Sequence, residues 1–460
     1  MSVMYVSKKS ISHRFVELFV IIAILIVILG KLFFSDESGI LFLFAYGIII
    51  TVSTWAVFLV AFTFYKDPYE VALENEKSKQ SDTVKKKCLV SCMVAVKNEE
   101  NNISRCIDSI LRQTYKNIEI LIVNDASTDK TLNVLKDYET EGKIKLINLK
   151  VNVGKKKALS RAMAVAKGQI FAHTDSDSVW AADAIEKIVK IFEEFTSVGV
   201  VSGHGRALNG DKNFLTKAQD SWMEGQFSVR KAFESIFGAV TCVSGPLVVF
   251  RKETFFNFIP AWENDTFLGQ EFKFATDRTL TGIILGSKVI GEKLKKKYKD
   301  SLFVKKVDYP IKDWQVVYCK SAKSWTIVPD TFSKLIIQQI RWKKSFIRNI
   351  FFTTRFYWRK PLPVALLFYL HILFVLVGPF IAFRHLIYLP IQGNMFSAIL
   401  YLSGIIFVGF MFGLAYKIED PGSHRWIYRP VMSLLSVLVI SWLIFYSALT
   451  IKKMTWLRAQ

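Results

Sequence analysis

Residues 88–125 read CLVSCMVAVKNEENNISRCIDSILRQTYKNIEILIVND. The run 88–96 is almost unbroken apolar and β-branched, the composition of a strand buried on both faces. From residue 99 to 113 the spacing changes: Ile103, Cys106, Ile107, Ile110 and Leu111 recur three and four apart, which predicts an amphipathic helix. A second strand over 118–123 ends on Asn124-Asp125. The same alternation continues outward, with a helix over 131–138, a strand over 144–149, a helix over 155–166, and a strand over 170–173 ending on Thr174-Asp175. Strand and helix in turn imply an α/β domain, a Rossmann-like, mostly parallel sheet covered on both faces. Ligands of such sheets bind beyond the carboxyl ends of the strands, where these polar clusters fall.

The flanks of this domain are of another kind. Of the 460 residues, 51% are hydrophobic, and 61 Lys and Arg against 39 Asp and Glu leave a net charge of +22. Mean hydropathy is +0.28. These values exclude a disordered chain, a collagen-like chain and a small disulfide scaffold. The five cysteines form no CxxC pair and are expected to be reduced thiols, and the six histidines lack zinc spacing. Apolar stretches at 15–34 and 40–65 are each long enough to cross ~30 Å of hydrocarbon. Lys8, Lys9 and Arg14 precede the first, and Asp36 and Glu37 separate the two, so the positive-inside rule makes residues 1–66 a transmembrane hairpin with its N-terminus in the cytoplasm. Residues 67–331 then form a cytosolic domain. Residues 332–360, rich in Arg and Lys among Ile, Phe and Trp, read as amphipathic helices at the membrane surface.

Further apolar stretches at 363–383, 395–416 and 431–451 make 361–460 a C-terminal transmembrane region. Three crossings would leave the C-terminus outside. Yet Lys452, Lys453 and Arg458 follow the last stretch, and Lys417, Arg425 and Arg429 precede it. Charge cannot satisfy both loops with three simple crossings. Either one stretch lies in the interface or 361–391 holds more than one element.

Several clusters carry chemistry. Asp125 ends a strand, where an Asp is also a common cap or turn residue. Asp175-Ser176-Asp177 places two carboxylates on a loop, able to share Mg²⁺ or Mn²⁺ with a diphosphate, because hard cations take oxygen ligands and keep substrate phosphates. Asn152-Val153-Gly154-Lys155 opens a helix, whose N–H groups and adjacent ammonium suit a phosphate, although a solvated basic patch reads the same. Gln338, Arg341 and Trp342 stand at i, i+3 and i+4, one helix face offering an amide, a fork of donors for phosphate and a flat indole for a sugar ring. The lysine run 293–299 reads as a solvated loop, or as a patch facing anionic lipid or substrate.

Taken in order, Asn124-Asp125, Asp175-Ser176-Asp177, Thr276-Asp277 and Gln338-x-x-Arg341-Trp342 resemble the signature of processive family-2 glycosyltransferases. Ser244-Gly245-Pro246, Phe267-Leu268-Gly269, Asp277-Arg278-x-Leu280-Thr281 and the tail Tyr446-x-Ala448-Leu449-Thr450 with Trp456-x-Arg458 bring the likeness closest to hyaluronan synthases and their chitin-oligosaccharide synthase relatives. Position 276 is Thr where that family usually has an acid. The resemblance implies a GT-A domain inserted between transmembrane helices that form a channel. It implies a multi-pass protein of the cell membrane with the catalytic domain cytoplasmic. The activity implied is inverting, processive polymerisation of UDP-activated sugars, UDP-GlcNAc and possibly UDP-GlcA, into a secreted polysaccharide. Asp277 would be the general base, with its pKa raised toward working pH by a partly buried cleft. Asp177 would hold Mg²⁺ or Mn²⁺. Asp125 and Asp175 would contact nucleoside and donor sugar, and Lys155 and Arg341 the diphosphate. Gln338, Trp342, Ser244, Gly245 and Pro246 would face the acceptor.

The partners expected are the donors, the growing chain and membrane lipid, and not nucleic acid. Within the class the alternative is a chitin or poly-N-acetylglucosamine synthase using UDP-GlcNAc alone. Outside it stand a membrane transporter or a basic binding protein.

Overall fold

The computed structural model describes residues 41–79 and 88–453. The stretch 15–34, most of the expected hairpin, and Trp456 and Arg458 of the tail lie outside the described residues.

An eight-stranded sheet forms from β1 (Val90–Val96), β2 (Ile118–Asp125), β3 (Lys145–Leu149), β4 (Ile170–Asp175), β5 (Ser178–Trp180), β6 (Val198–Ala207), β7 (Val248–Arg251) and β10 (Gln315–Thr326), in the order β3-β2-β1-β4-β7-β6-β10-β5. β1, β2, β3 and β4 are mutually parallel, as are β6 and β10, whereas β7 runs antiparallel between β4 and β6. Successive side chains point to opposite faces, and both faces are buried. Met93, Leu121 and Val123 enter one core, and Cys92, Val94, Ile120 and Ile122 the other. Helix α3 (Ile103–Leu111) buries Ile103, Cys106, Ile107 and Ile110 on the second face, as its spacing predicts. The five cysteines are free thiols.

The first core does not stop at the sheet. Trp55, Phe58 and Ala61 of the apolar helix α1 (Leu41–Phe64) join it, with Met411 and Ala415 of a C-terminal helix. Catalytic-type domain and apolar helices are therefore packed as one body, and Tyr65 Oη donates to the Tyr318 carbonyl at 2.9 Å.

Among the described residues four helices are long and apolar enough to cross a membrane: Ala45–Ser78, Leu362–Ile391, Met395–Glu419 and Arg425–Leu449. Leu362–Ile391 does hold more than one element, an α-helix to Phe383, a π turn over Arg384–Tyr388 and a last helical turn. Its start is fixed to the sheet domain by Lys360 on Asp313 at 3.0 Å. Met395–Glu419 returns to the domain, where Glu419 pairs with Lys320 and Tyr416 Oη donates to Asp220 at 3.2 Å. The last stretch differs from a simple span. It breaks at Val439 between Arg429–Leu438 and Leu443–Leu449. It begins with Arg425 on Asp211 and Asp220. It ends with the Lys452 and Lys453 carbonyls accepting from Gln270 Nε2 at 2.9 Å and Lys344 Nζ at 2.8 Å. Its start thus rests on the sheet domain, and its end on Gln270 of that domain and on Lys344.

Between them runs the helix Phe332–Tyr357, carrying the basic and aromatic residues expected at the interface. The lysine run is not a loop: Lys293, Lys295, Lys296 and Lys297 are the last turns of a helix from Thr276 to Lys297, where good helix formers with positive charge complement the C-terminal dipole. Lys295 pairs with Asp308.

The two helices are tied through one buried carboxylate. Asp265 accepts from Lys156 Nζ at 2.8 Å and from Thr279 Oγ1 at 3.1 Å, and it pairs with Arg348. All three charged side chains are nearly sealed from solvent, at 3%, 5% and 7% exposure. Removing the acid strands two buried cations. Asp265→Ala is expected to cost about 3–5 kcal/mol, read as a lowered unfolding midpoint of the detergent-solubilised protein, with Asp265→Asn losing less.

Candidate functional site

The carboxyl ends of β2 and β4, the loop before β7 and the start of the Thr276–Lys297 helix meet at one place. Asp125, at the end of β2, is spent on the chain itself. Its Oδ1 accepts from Val153 N–H at 2.7 Å and its Oδ2 from Gly154 N–H at 2.9 Å. Those are the N–H groups that a phosphate was expected to use, so Asp125 shapes the loop and presents Lys155 in place of an open anion cradle. Gly154 sits at φ +84°, a left-handed turn that glycine accepts without strain.

Lys155 then reaches across to pair with Asp175 at the end of β4. Burial would lower its pKa, but the carboxylates of Asp175, Asp277 and Asp177 outweigh it and hold the ammonium above the ordinary lysine value. Asp177 Oδ1 accepts from Thr326 Oγ1 at 3.2 Å and Ser178 Oγ at 3.3 Å. Asp175, Asp177 and these hydroxyls are an all-oxygen donor set, which suits a hard divalent cation. Among the described residues no group of three His, Cys, Asp or Glu side chains stands ready to hold a metal. The residues therefore fit a cation whose remaining ligands come from a bound diphosphate and water.

The loop Ser244-Gly245-Pro246 closes the site from the other side. A Cβ on Gly245 would stand 2.5 Å from Asp175 Oδ2, so only glycine lets the loop lie against that carboxylate. Gly245 N–H donates to Asp277 Oδ2 at 3.0 Å. The Pro246 carbonyl accepts from Thr174 Oγ1 and Trp180 Nε1, each at 2.7 Å. Ser244 Oγ accepts from Lys231 Nζ at 2.5 Å, and that buried ammonium, pushed down to about 8 by desolvation, also bonds Ser202 Oγ at 3.0 Å. Ser244, Gly245 and Pro246 thus act on the site largely through backbone and packing.

Asp277 lies in the first turn of its helix, behind Ala275 at φ +61°. Here the structure differs from the sequence expectation. Burial does push the carboxyl up, but the His173 imidazole, the Lys155 ammonium and the Gly245 N–H together hold it below the ordinary 3.8. Two residues around the site were invisible as such in the sequence. Lys231 carries no motif, and His173 was one residue of a strand, distinguished only by being polar where a buried strand is apolar.

Trp342 is exposed on the Phe332–Tyr357 helix and stacks on Trp222, with centroids 6.0 Å apart and planes 20° apart. Trp222, from the helix Phe214–Gly225, was also missed by the sequence reading. Beside this pair opens a cavity of about 300 Å³, bounded by Trp222, Gln339 and Lys343 on the domain side and by His371, Gly378, Tyr401 and Ser436 among the apolar helices. On the same helix Gln338 lies one turn back from Trp342 and Arg341 immediately precedes it.

Comparison with known proteins agrees with this layout. The glycosyl transferase family 2 profile matches residues 91–256. A hyaluronan synthase of Streptococcus pyogenes is 26% identical over 444 residues, 95% of this chain and 94% of its own. An N-acetylglucosaminyltransferase of Rhizobium meliloti is 29% identical over 57% of this chain and 56% of its own. In fold, the chain is similar to a mannosyltransferase from Pyrobaculum calidifontis solved with GDP-Man and Mn²⁺, with TM-score 0.51 and 18% identity over 89% of this chain and 98% of that one.

A carboxyl depressed in the folded state lends stability above its unfolded value, and loses it as pH falls through the folded one. Asp277 therefore contributes above pH 3.8 and its contribution fades below that. Lys155→Met removes one of the charges holding Asp277 down, so acid unfolding is expected to begin at higher pH than in the parent, measured as the unfolding midpoint across a pH series.

Proposed function

We propose that this chain is a hyaluronan synthase-like family-2 glycosyltransferase that polymerises UDP-activated sugars by direct displacement and passes the polymer out through its own membrane helices. The observation that carries this is the convergence of Asp175, Asp177 and Asp277 on Lys155 beyond the sheet, in a chain that also has a stacked Trp222–Trp342 pair and a cavity lined by residues of the apolar helices.

In this reading Lys155 and Arg341 bind the diphosphate, and Asp175 and Asp125 hold the nucleoside and donor-sugar side, Asp125 through the loop it fixes. Asp177 holds Mg²⁺ or Mn²⁺, which when bound neutralises charge on the leaving diphosphate. The acceptor hydroxyl adds to the anomeric carbon as the bond to the diphosphate oxygen breaks, that oxygen keeping the electron pair. The hydroxyl proton goes to Asp277, and attack from the opposite face turns an α donor into a β product. Gly245 N–H fixes one oxygen of Asp277, and each carboxylate oxygen keeps a further lone pair able to take the proton. Asp277, held low in the resting site, is a carboxylate at working pH. When a diphosphate draws Lys155 toward itself, one of the forces lowering its pKa weakens.

Trp342 and Gln338 carry the acceptor end, with the Ser244-Gly245-Pro246 loop behind it. The cavity next to them is the start of the export path, because a chain of hydroxyls cannot enter hydrocarbon unpaired. Two crossings follow the catalytic domain, and the break at Val439 keeps the last stretch at the interface, which leaves catalytic domain and C-terminus together in the cytoplasm.

One feature favours two donors over UDP-GlcNAc alone. Lys343 and His371 line the cavity, Arg230 Nη1 stands 3.0 Å from His371 Nε2, and the Arg278 guanidinium lies 6.0 Å from the centroid of the Phe346 ring, which packs on His371. Burial and the neighbouring Arg278 push Lys343 down to about 8. Such a cationic collar suits a polymer that carries carboxylates, as one containing glucuronate does.

Purified enzyme with Mg²⁺ or Mn²⁺ is expected to make polymer from UDP-GlcNAc and UDP-GlcA together and none from either alone. Polymer from UDP-GlcNAc alone rejects the two-donor reading. Asp277→Asn is expected to lower polymerisation by about 10²–10⁴-fold with donor affinity kept, and full activity in that variant would remove the assigned base.

A further inference from the structure

The strand that delivers Asp175 carries, two residues earlier, an imidazole with no evident structural task. His173 is fully buried, and neither ring nitrogen has a hydrogen-bond partner. Its neighbours across the sheet are Met93 and Val248, and its ring packs against Phe250 with centroids 6.0 Å apart. A wholly buried polar ring among apolar side chains carries a desolvation penalty when unsatisfied, and a Leu would fill the place without it. Such a group calls for an explanation.

The explanation lies 3.9 Å away. His173 Nε2 faces Asp277 Oδ1 at that distance, and Asp277 Oδ1 is itself a buried oxygen without a hydrogen-bond partner. The two orphans are complementary, one able to donate and the other to accept, and they are about 1 Å short of a hydrogen bond. Asp277 Oδ2 is already held by Gly245 N–H. A small rotation of the carboxylate about that anchor brings Oδ1 onto His173. Hydrogen bonds of catalytic groups are often long before substrate binds and tighten afterwards.

Resting on the assignment of Asp277 as the base, we propose that His173 is a positioning residue that grips Asp277 Oδ1 through Nε2–H once donor and acceptor are bound, fixing the carboxylate rotamer for proton transfer. The role needs a neutral imidazole with its proton on Nε2 and no change of charge. Asp277 then has one oxygen tethered on each side, by backbone from the Ser244-Gly245-Pro246 loop and by side chain from β4, so both walls of the site set the direction of the base.

The test uses the full-length enzyme with His173→Leu, which fills the space without a donor, and His173→Gln, which returns an N–H at a similar reach. His173→Leu is expected to lower kcat by roughly 10- to 100-fold, the usual scale for a group that orients a reacting side chain, with donor KM and the affinity for UDP unchanged. His173→Gln is expected to recover most of that loss. Wild-type kcat in His173→Leu, equal loss in the Leu and Gln variants, or loss through weakened UDP binding would each overturn the inference. Undiminished turnover in Asp277→Asn would instead sink the base assignment, and this inference with it. Activity that needs Asp277 but ignores His173 sinks the inference alone.

Discussion

The site depends on one constraint, the balance of three carboxylates around the Lys155 ammonium. Asp175, Asp177 and Asp277 crowd together beyond the sheet, and Lys155 is the cation that makes their crowding tolerable. Much of the surrounding chain serves that arrangement. Asp125 pins the loop that aims Lys155, Gly245 gives up a side chain so that Asp175 can stand where it does, and the Gly245 N–H takes one oxygen of Asp277. On the proposed reading, an incoming diphosphate would compete for Lys155, and a divalent cation held by Asp177 would supply positive charge in its place.

The same body joins this pocket to the apolar helices. Trp55 and Phe58 share a core with Phe233, Tyr318 and Met411, so no soft linker separates the sheet domain from the spans. Arg348 and Lys156 meet on Asp265, which ties the interfacial helix to the helix that presents Lys155. Arg425 and Tyr416 meet on Asp220, in the helix that carries Trp222. The stacked indoles at the cavity mouth are therefore held by two buried ionic clusters, one on each helix. Displacement of either helix would disturb the stacked indoles.

The alternation of buried strands and amphipathic helices was legible from residue 88 onward because both periods are short and each element buries a full face. The strand-end acids were legible for the same reason, since topology fixes where strands end. Less could be read where the structure depends on long-range contact. That Asp125 also anchors a loop could not be read locally, because its partners Val153 and Gly154 lie 28 and 29 residues on. The depressed pKa of Asp277 depends on His173 and Lys155, from two other strand-helix units, and no local pattern around Asp277 carries it. Trp222 and Lys231 belong to no motif and matter only through what they touch. Hydropathy read 431–451 as a span because length and composition count apolar residues. The break at Val439 and the contacts of Arg425 and Lys452 with the sheet domain belong to tertiary structure.

The most direct measurement is an experimental structure of the full-length protein in lipid with UDP-GlcNAc and Mn²⁺. The account predicts the diphosphate against Lys155 and Arg341, the manganese on Asp177, and the sugar between Asp277 and the Trp342 indole. Nucleotide bound elsewhere, or bound with Asp177 and Asp277 both remote from it, would contradict the account.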